Sequence, residues 1–515
     1  MAAKMTTLKR QEKKIEELKS ELEKVYPSGT FAVYEFGGAG VFRITKSSDP
    51  NSLPIWILPT IDLEVSVGIQ SGAAIGLNCV GKSGMMAIPG MTHLYEHLMF
   101  NKVRVEDKWY SNTELFKLAS DNGVRINAGT NSISIKTHVS FRPNVSNEIA
   151  VDGVFIKGYD RLIDKNVKDP TDMAFAILKG ITYDHNITPE ALDSEKSIVK
   201  SEINMYRNDD SYWQGRLSEA VVTKFYDELG SVEDIDNIDY MDIMKLDSIV
   251  SNAKSLRNIE IYINYWKYSV KDIISIIEKA YGIFGTTEQL KGNALKYRYI
   301  NTGAIGQKPR TVKVHKTSPT KEPFMTIFFE KMDLGENCHS ASVARFVQYA
   351  LIAGLDRPLT KMFREDFGRT YHVGVLPNSA TIDDSNIKHA KYGWCLQFNA
   401  NKDDERVPAN PSKFKKIVKE RAKECVETVF NKLEVSEEEF NGYLDAYKKD
   451  LIGHIGMLSI IISQAIPLME DELVSPYMES HCRGAFSCDV TYKEFKEYIK
   501  YIKKNWRAEF YYNEA

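Results

Sequence analysis

Met91-Thr92-His93-Leu94-Tyr95-Glu96-His97-Leu98-Met99-Phe100 is the stretch that decides how the rest of the chain is read. Its core is H-x-x-E-H, the inverse of the zincin pattern. On a helix, positions four apart share a face, so His93 and His97 can both reach one ion. Glu96 follows His93 by three positions and stays near that face. Two neutral imidazoles and an oxygen donor suit Zn²⁺, and a catalytic zinc keeps one position open for water. A carboxylate beside that water can take its proton. The expected roles are therefore His93 and His97 as metal ligands and Glu96 as general base. The plain alternative is a helix that carries two partly exposed histidines. The context weighs against it: Pro89-Gly90 is a turn signal just upstream, and Leu94, Leu98, Met99 and Phe100 anchor the helix in a core.

A third ligand has to come from another element. Thr188-Pro189 reads as a helix N-cap followed by the first helical residue. From there Leu192, Glu195, Val199, Glu202 and Tyr206 recur at steps of three and four, one stripe of a helix. Two acids on an apolar stripe are costly to bury unless a metal or a ligating histidine compensates them. Glu202 is assigned as the third ligand, and Glu195 as the acid that orients a histidine from behind. Two solvated acids on an accidental stripe are the simpler alternative.

With these residues in place, the chain resembles the inverzincin peptidases, the group of pitrilysin, insulysin and the mitochondrial processing peptidase. In that family the two histidines and the second of the two downstream acids bind zinc, and the first acid holds a histidine. The resemblance implies these roles for His93, His97, Glu202 and Glu195, with Glu96 as base. The interval between His97 and Glu202 is longer than is usual in the family, and the excess falls in the polar stretch 142–170. Two further segments are similar to family motifs. Asn127-Ala128-Gly129-Thr130 looks like the edge strand beside the metal, where Asn127 and Ala128 would pair with substrate backbone; an edge strand's free N–H and C=O groups suit that task. Arg364 and Tyr371, seven residues apart at the end of Leu359–Tyr371, match the pair that binds the substrate carbonyl and the developing oxyanion. Taken alone, that pair also fits an arginine near a helix C-terminus and a tyrosine on the next strand.

Composition is compatible with a zinc peptidase and narrows its setting. The chain has 515 residues, 43% hydrophobic and 27% charged, with a net charge of −3. The length predicts at least two domains, and the charge balance gives no sign of a nucleic-acid partner. Cys79, Cys338, Cys395, Cys425, Cys482 and Cys488 are scattered without C-x-x-C spacing, which fits a cytoplasmic or other reducing intracellular compartment; the family resemblance, which extends to viral peptidases, also implies a virion as a setting. The first residues lack the apolar run of a secretory signal. Ile452–Met469 is nearly uncharged but interrupted by Gly, Ser and Pro, and reads as a buried helix, not a membrane span.

The fold expected is α+β, two related domains, each a mainly antiparallel sheet packed with helices. The boundaries are a charged N-terminal helix at 1–30, a zinc-binding domain at 31–285, a linker at 286–310 and a second domain at 311–515. A repeat is hinted at by Tyr240…Ile259-Glu260-Ile261-Tyr262 and Tyr492…Glu509-Phe510-Tyr511-Tyr512, each a helix followed by a strand. The function expected is a zinc metalloendopeptidase acting on peptides or unfolded protein segments. The alternative is a non-catalytic scaffold or partner subunit of the same fold. The resemblance also implies a homodimer or heterodimer.

Overall fold

The computed structural model describes residues 2–26, 30–36, 39–45, 54–62, 64–71, 88–131, 135–143, 150–151, 154–155, 169–222, 229–252, 257–284, 310–321, 323–333, 343–344, 346–350, 373–381, 391–399, isolated positions from 416 to 431, 433–451, 459, 462–463 and 490–512. The expected linker lies almost wholly outside them. By internal contacts the chain divides into two compact units. The first comprises residues 1–203, 226–298 and 454–472; the second comprises 204–225, 299–453 and 473–515.

In chain order the first half runs α1 (Ala2–Val25), β1 (Phe31–Phe36), β2 (Ala39–Ile44), β3 (Ile55–Pro59), β4 (Val65–Ser71), α2 (Met91–Leu98), β5 (Lys102–Val105), β6 (Lys108–Ser111), α3 (Asn112–Asp121), β7 (Val124–Thr130) and β8 (Ile135–Phe141). It continues with β9 (Ala150–Val151), β10 (Val154–Phe155), α4 (Pro170–Tyr183), α5 (Pro189–Arg207), α6 (Asp210–Val222), α7 (Val232–Asn237), α8 (Tyr240–Asn252), β11 (Arg257–Ile263) and α9 (Val270–Phe284). The second half contains β12 (Thr311–His315), β13 (Phe324–Asp333), β14 (Val373–Thr381), β15 (Lys391–Asn399), α10 (Glu437–Leu451), α11 (Tyr492–Ile502) and β16 (Trp506–Tyr511).

The main sheet of the first unit has the order β1-β2-β3-β11-β4-β8-β7, and that of the second β12-β16-β13-β15-β14. The last five strands of the first sheet and the five of the second follow one plan. In each, the last strand in sequence lies parallel to the first and antiparallel to the second, and the remaining pairs are antiparallel. The α+β fold is therefore two versions of one unit. The echo between 259–262 and 509–512 marks the last strand in sequence of each, β11 and β16, displaced by one residue: Glu260-Ile261-Tyr262 matches Glu509-Phe510-Tyr511.

Alternation on these strands explains the layering. In the first sheet Ile259, Ile261, Val67, Ile69, Val139 and Phe141 point to one face and are buried. Helix α4 covers part of this face, with Phe175 against Phe141. The opposite face is polar. There the fully buried Glu260 accepts from Lys136 Nζ at 2.6 Å and from the hydroxyls of Tyr262 and Ser463 at 2.9 Å each. In the second sheet Glu509 accepts from the Tyr511 hydroxyl at 2.6 Å and lies 2.8 Å from His315 Nε2. Buried carboxylates persist only when paired in this way.

Helix α1 packs on its own unit, against α9 and β2, with Ile15, Leu18 and Leu22 buried. Within Ile452–Met469, positions 459, 462 and 463 are helical and buried. Among the described residues no helix is long and apolar enough to cross a membrane.

Candidate metal centre

Helix α2 starts abruptly. Gly90 has φ 79°, and a Cβ there would lie 2.6 Å from Ile235 Cδ1 and 2.8 Å from the Leu229 carbonyl, so only glycine fits. Met91, Thr92, Leu94, Tyr95 and Leu98 are buried, which leaves His93, Glu96 and His97 on the partly open side. Helix α5 begins as the sequence indicates, with Thr188 Oγ1 accepting from the Ala191 N–H at 3.2 Å and Pro189 in the first turn. Leu192 and Val199 of its expected stripe are buried, whereas Tyr206 is exposed.

These two helices bring the histidines and the second acid together. Glu202 Oε2 lies 3.6 Å from His93 Nε2 and 3.4 Å from His97 Nε2, and the three donor atoms fall within 4.8 Å of one another. A tetrahedral ion with bonds of about 2.0–2.1 Å sets its ligand atoms about 3.3 Å apart. The spacing is therefore that of ligands around a shared small cation, and long for direct hydrogen bonds. His97 Nδ1 lies 3.2 Å from Glu195 Oε2, the arrangement in which a carboxylate fixes the tautomer of a metal-binding histidine. The buried His93 Nδ1 has no such partner among the described residues.

Burial and neighbouring charge set the protonation states at the site. Burial first, then the charge of His97, pushes the His93 pKa down to about 4 against the opposing pull of Glu202, so His93 is neutral at pH 7. Burial also presses on His97, but its bond to Glu195 and the charges of Glu96, Glu195 and Glu202 outweigh it and raise its pKa. Burial raises the Glu96 pKa, opposed by its hydrogen bond from Thr130 and by His97. An acid held above the usual carboxylate range is suited to accepting and returning a proton near neutrality. The donor set of two imidazoles and one carboxylate matches the chemistry of Zn²⁺.

Asn127 and Ala128 lie on β7, the edge strand of the first sheet, with the Ala128 N–H donating to Asn127 Oδ1 at 2.9 Å. Arg364 and Tyr371 lie outside the described residues. Sequence reasoning missed Thr130, whose hydroxyl donates to Glu96 Oε2 at 2.7 Å. Its position at the end of the Asn127–Thr130 strand was the available signal.

No protein-family profile and no curated protein matches the chain in sequence. Solved structures do match its fold. A protease from Helicobacter pylori superposes with a TM-score of 0.60 at 12% identity, over 92% of this chain and 99% of that one. A peptidase M16 inactive domain from Pseudomonas fluorescens gives 0.56 at 10%, over 92% and 98%. Pitrilysin gives 0.53 at 10%, over 94% of this chain and 46% of the other, so the chain corresponds to about half of that molecule. The chain has the two-unit fold of the M16-like peptidases.

Proposed function

We propose that the chain is a zinc metalloendopeptidase that cleaves peptides or unfolded protein segments. The observation that carries the reading is the convergence of His93 Nε2, His97 Nε2 and a Glu202 carboxylate oxygen at ligand spacing. A zinc ion held by these three would supply a Lewis acid and lower the pKa of water at the site. The protein's own groups do the rest. Glu96, held at one oxygen by Thr130, takes the proton of the attacking water and returns it to the leaving amine. Glu195 holds His97 in the tautomer that presents Nε2. Edge strand β7 offers its outer backbone groups to an extended substrate, whose carbonyl would replace Asn127 Oδ1 as the acceptor of the Ala128 N–H. Arg364 and Tyr371 are the proposed donors to the oxyanion, acting across a dimer in which the second half of one chain faces the zinc site of the other.

Hydrolysis of an unfolded protein substrate by the purified chain tests the reading. Activity that is lost on chelation and restored by zinc supports it. Zinc uptake without hydrolysis of any such substrate favours the second reading, a substrate-binding or scaffold subunit, which has its own support in the likeness to the inactive Pseudomonas domain. Mixing Glu96→Gln chains with Arg364→Ala chains tests the dimer: recovery of activity on mixing supports action in trans, and no recovery contradicts it.

A further inference from the structure

The three ligands come from two helices far apart in sequence, so something must fix the distance between those helices. The segment 229–252, which contains α7 and α8 and supplies no ligand, touches both. It holds α2 at two places. At its start Gly230, with φ 68°, passes so close to Pro89 that a Cβ would lie 2.7 Å from the Pro89 carbonyl carbon. Further along it meets Tyr95, which lies between the two histidines in sequence but points away from them into the protein, fully buried. The Tyr95 hydroxyl donates to Asp247 Oδ1 at 2.8 Å, and His185 Nε2 meets the same oxygen at 3.0 Å. The segment holds α5 as well. Lys196 donates to the Asp236 carbonyl at 3.1 Å and Lys200 to Asp236 Oδ1 at 2.7 Å, and Tyr240 donates to the Ile187 carbonyl just before the helix at 3.1 Å.

We infer that residues 229–252 are a jig that sets the separation of the histidine pair from Glu202, with Tyr95 and Asp247 as its positioning residues. The role presupposes the zinc site proposed above. A buried Tyr–Asp hydrogen bond could serve folding alone, but its placement makes it more specific than that. Tyr95 shares one helical turn with His93 and His97, so a shift of its side chain moves both imidazoles relative to α5. Asp247 Oδ1 meets both the Tyr95 hydroxyl and His185 Nε2, so the acceptor of the Tyr95 hydroxyl is itself held from a second side.

The test is zinc affinity, measured on the full chain by competition with a metallochromic chelator, with thermal stability recorded in parallel. Tyr95→Phe and Asp247→Ala are expected to weaken zinc binding about 10-fold, the lower end of the range for groups behind metal ligands. Asp247→Asn keeps an oxygen acceptor and is expected to recover most of the affinity lost in Asp247→Ala. The control is Tyr281→Phe, which deletes a buried hydroxyl bonded to the Ile44 carbonyl at 2.8 Å in the same unit, away from α2 and α5. It is expected to lower stability and leave zinc affinity unchanged. Wild-type affinity in both Tyr95→Phe and Asp247→Ala overturns the jig, and so does an equal loss in Tyr281→Phe. A wild-type chain that takes up no zinc overturns the metal site itself, a result distinct from zinc uptake that ignores Tyr95.

Discussion

The two units share five strands in one order and direction, and both carry a Glu-x-Tyr pair on the last of these strands in sequence, yet among the described residues only the first contains a group of side chains at metal-ligand spacing. In the first unit the H-x-x-E-H helix lies, in sequence, between the strands that correspond to β13 and β14 of the second. The stretch between β13 and β14 of the second contains no H-x-x-E-H pattern. Its described positions Val343, Phe346, Val347 and Ala350 are buried apolar residues of the core. One scaffold thus tolerates either a site or plain packing at the same place. The fold depends on the buried sheet face and the paired carboxylate, and the candidate site depends on a few residues carried by two helices.

The largest expected asymmetry is in turnover. Glu96→Gln keeps size and hydrogen bonding but cannot accept a proton, and is expected to lower hydrolysis about 10²–10⁴-fold with zinc content and melting temperature unchanged. Turnover near wild type would remove Glu96 as base. Next comes metal affinity. Glu195→Ala is expected to weaken zinc binding about 10–100-fold, while Glu202→Ala removes a ligand and costs more. The reverse ranking would exchange the roles of the two acids.

The shared carboxylates allow a direct comparison of stability. Glu260 is fully buried and accepts three hydrogen bonds, so Glu260→Gln leaves Lys136 beside a neutral group and is expected to cost about 3–5 kcal/mol. Glu509→Gln replaces the carboxylate that meets His315 and Tyr511 with a neutral amide, with an expected cost of about 1.5–3 kcal/mol. Equal losses in urea unfolding would show that the extra partners of Glu260 add nothing.

The smallest effect is pH-dependent. His138 occupies the register position of the first sheet that Gln397 holds in the second, through the pairings Glu260–Gly68–His138 and Glu509–Thr326–Gln397. Burial, reinforced by the Lys136 charge, pushes its pKa down to about 4. A base whose pKa falls on folding favours the native state when neutral. Its contribution is therefore intact above about pH 6.5, the ordinary histidine value, and is lost as pH falls towards 4. His138→Gln is expected to match wild type at pH 7 and to be the more stable of the two at pH 5. An unchanged difference between those pH values would contradict the burial argument.

Much of the site was legible in sequence because its chemistry is local. The i,i+4 histidines share one turn, and Glu195 and Glu202 share one helix that carries its own cap. The strand before α2 was also legible, since Leu63–Gln70 alternates up to a Ser71-Gly72 turn signal and forms β4, whereas β5 and β6 just after α2 were not. Short β3 was not, since Ile55–Pro59 is buried along its whole length and shows no period of two. Helix α4 was hidden by its composition, with nine of its residues buried and little polar contrast to mark a face. Tyr95, His185 and Asp247 carry no local signal at all. They meet across 90 and 152 residues, and only the folded chain brings them together.

Metal analysis of the purified full chain tests the central claim most directly. After dialysis against buffer with trace zinc, one zinc per chain is expected for wild type and for Glu96→Gln, and none for His97→Ala. Wild-type protein without stoichiometric zinc, or His97→Ala protein that keeps it, would contradict a metal centre built from His93, His97 and Glu202.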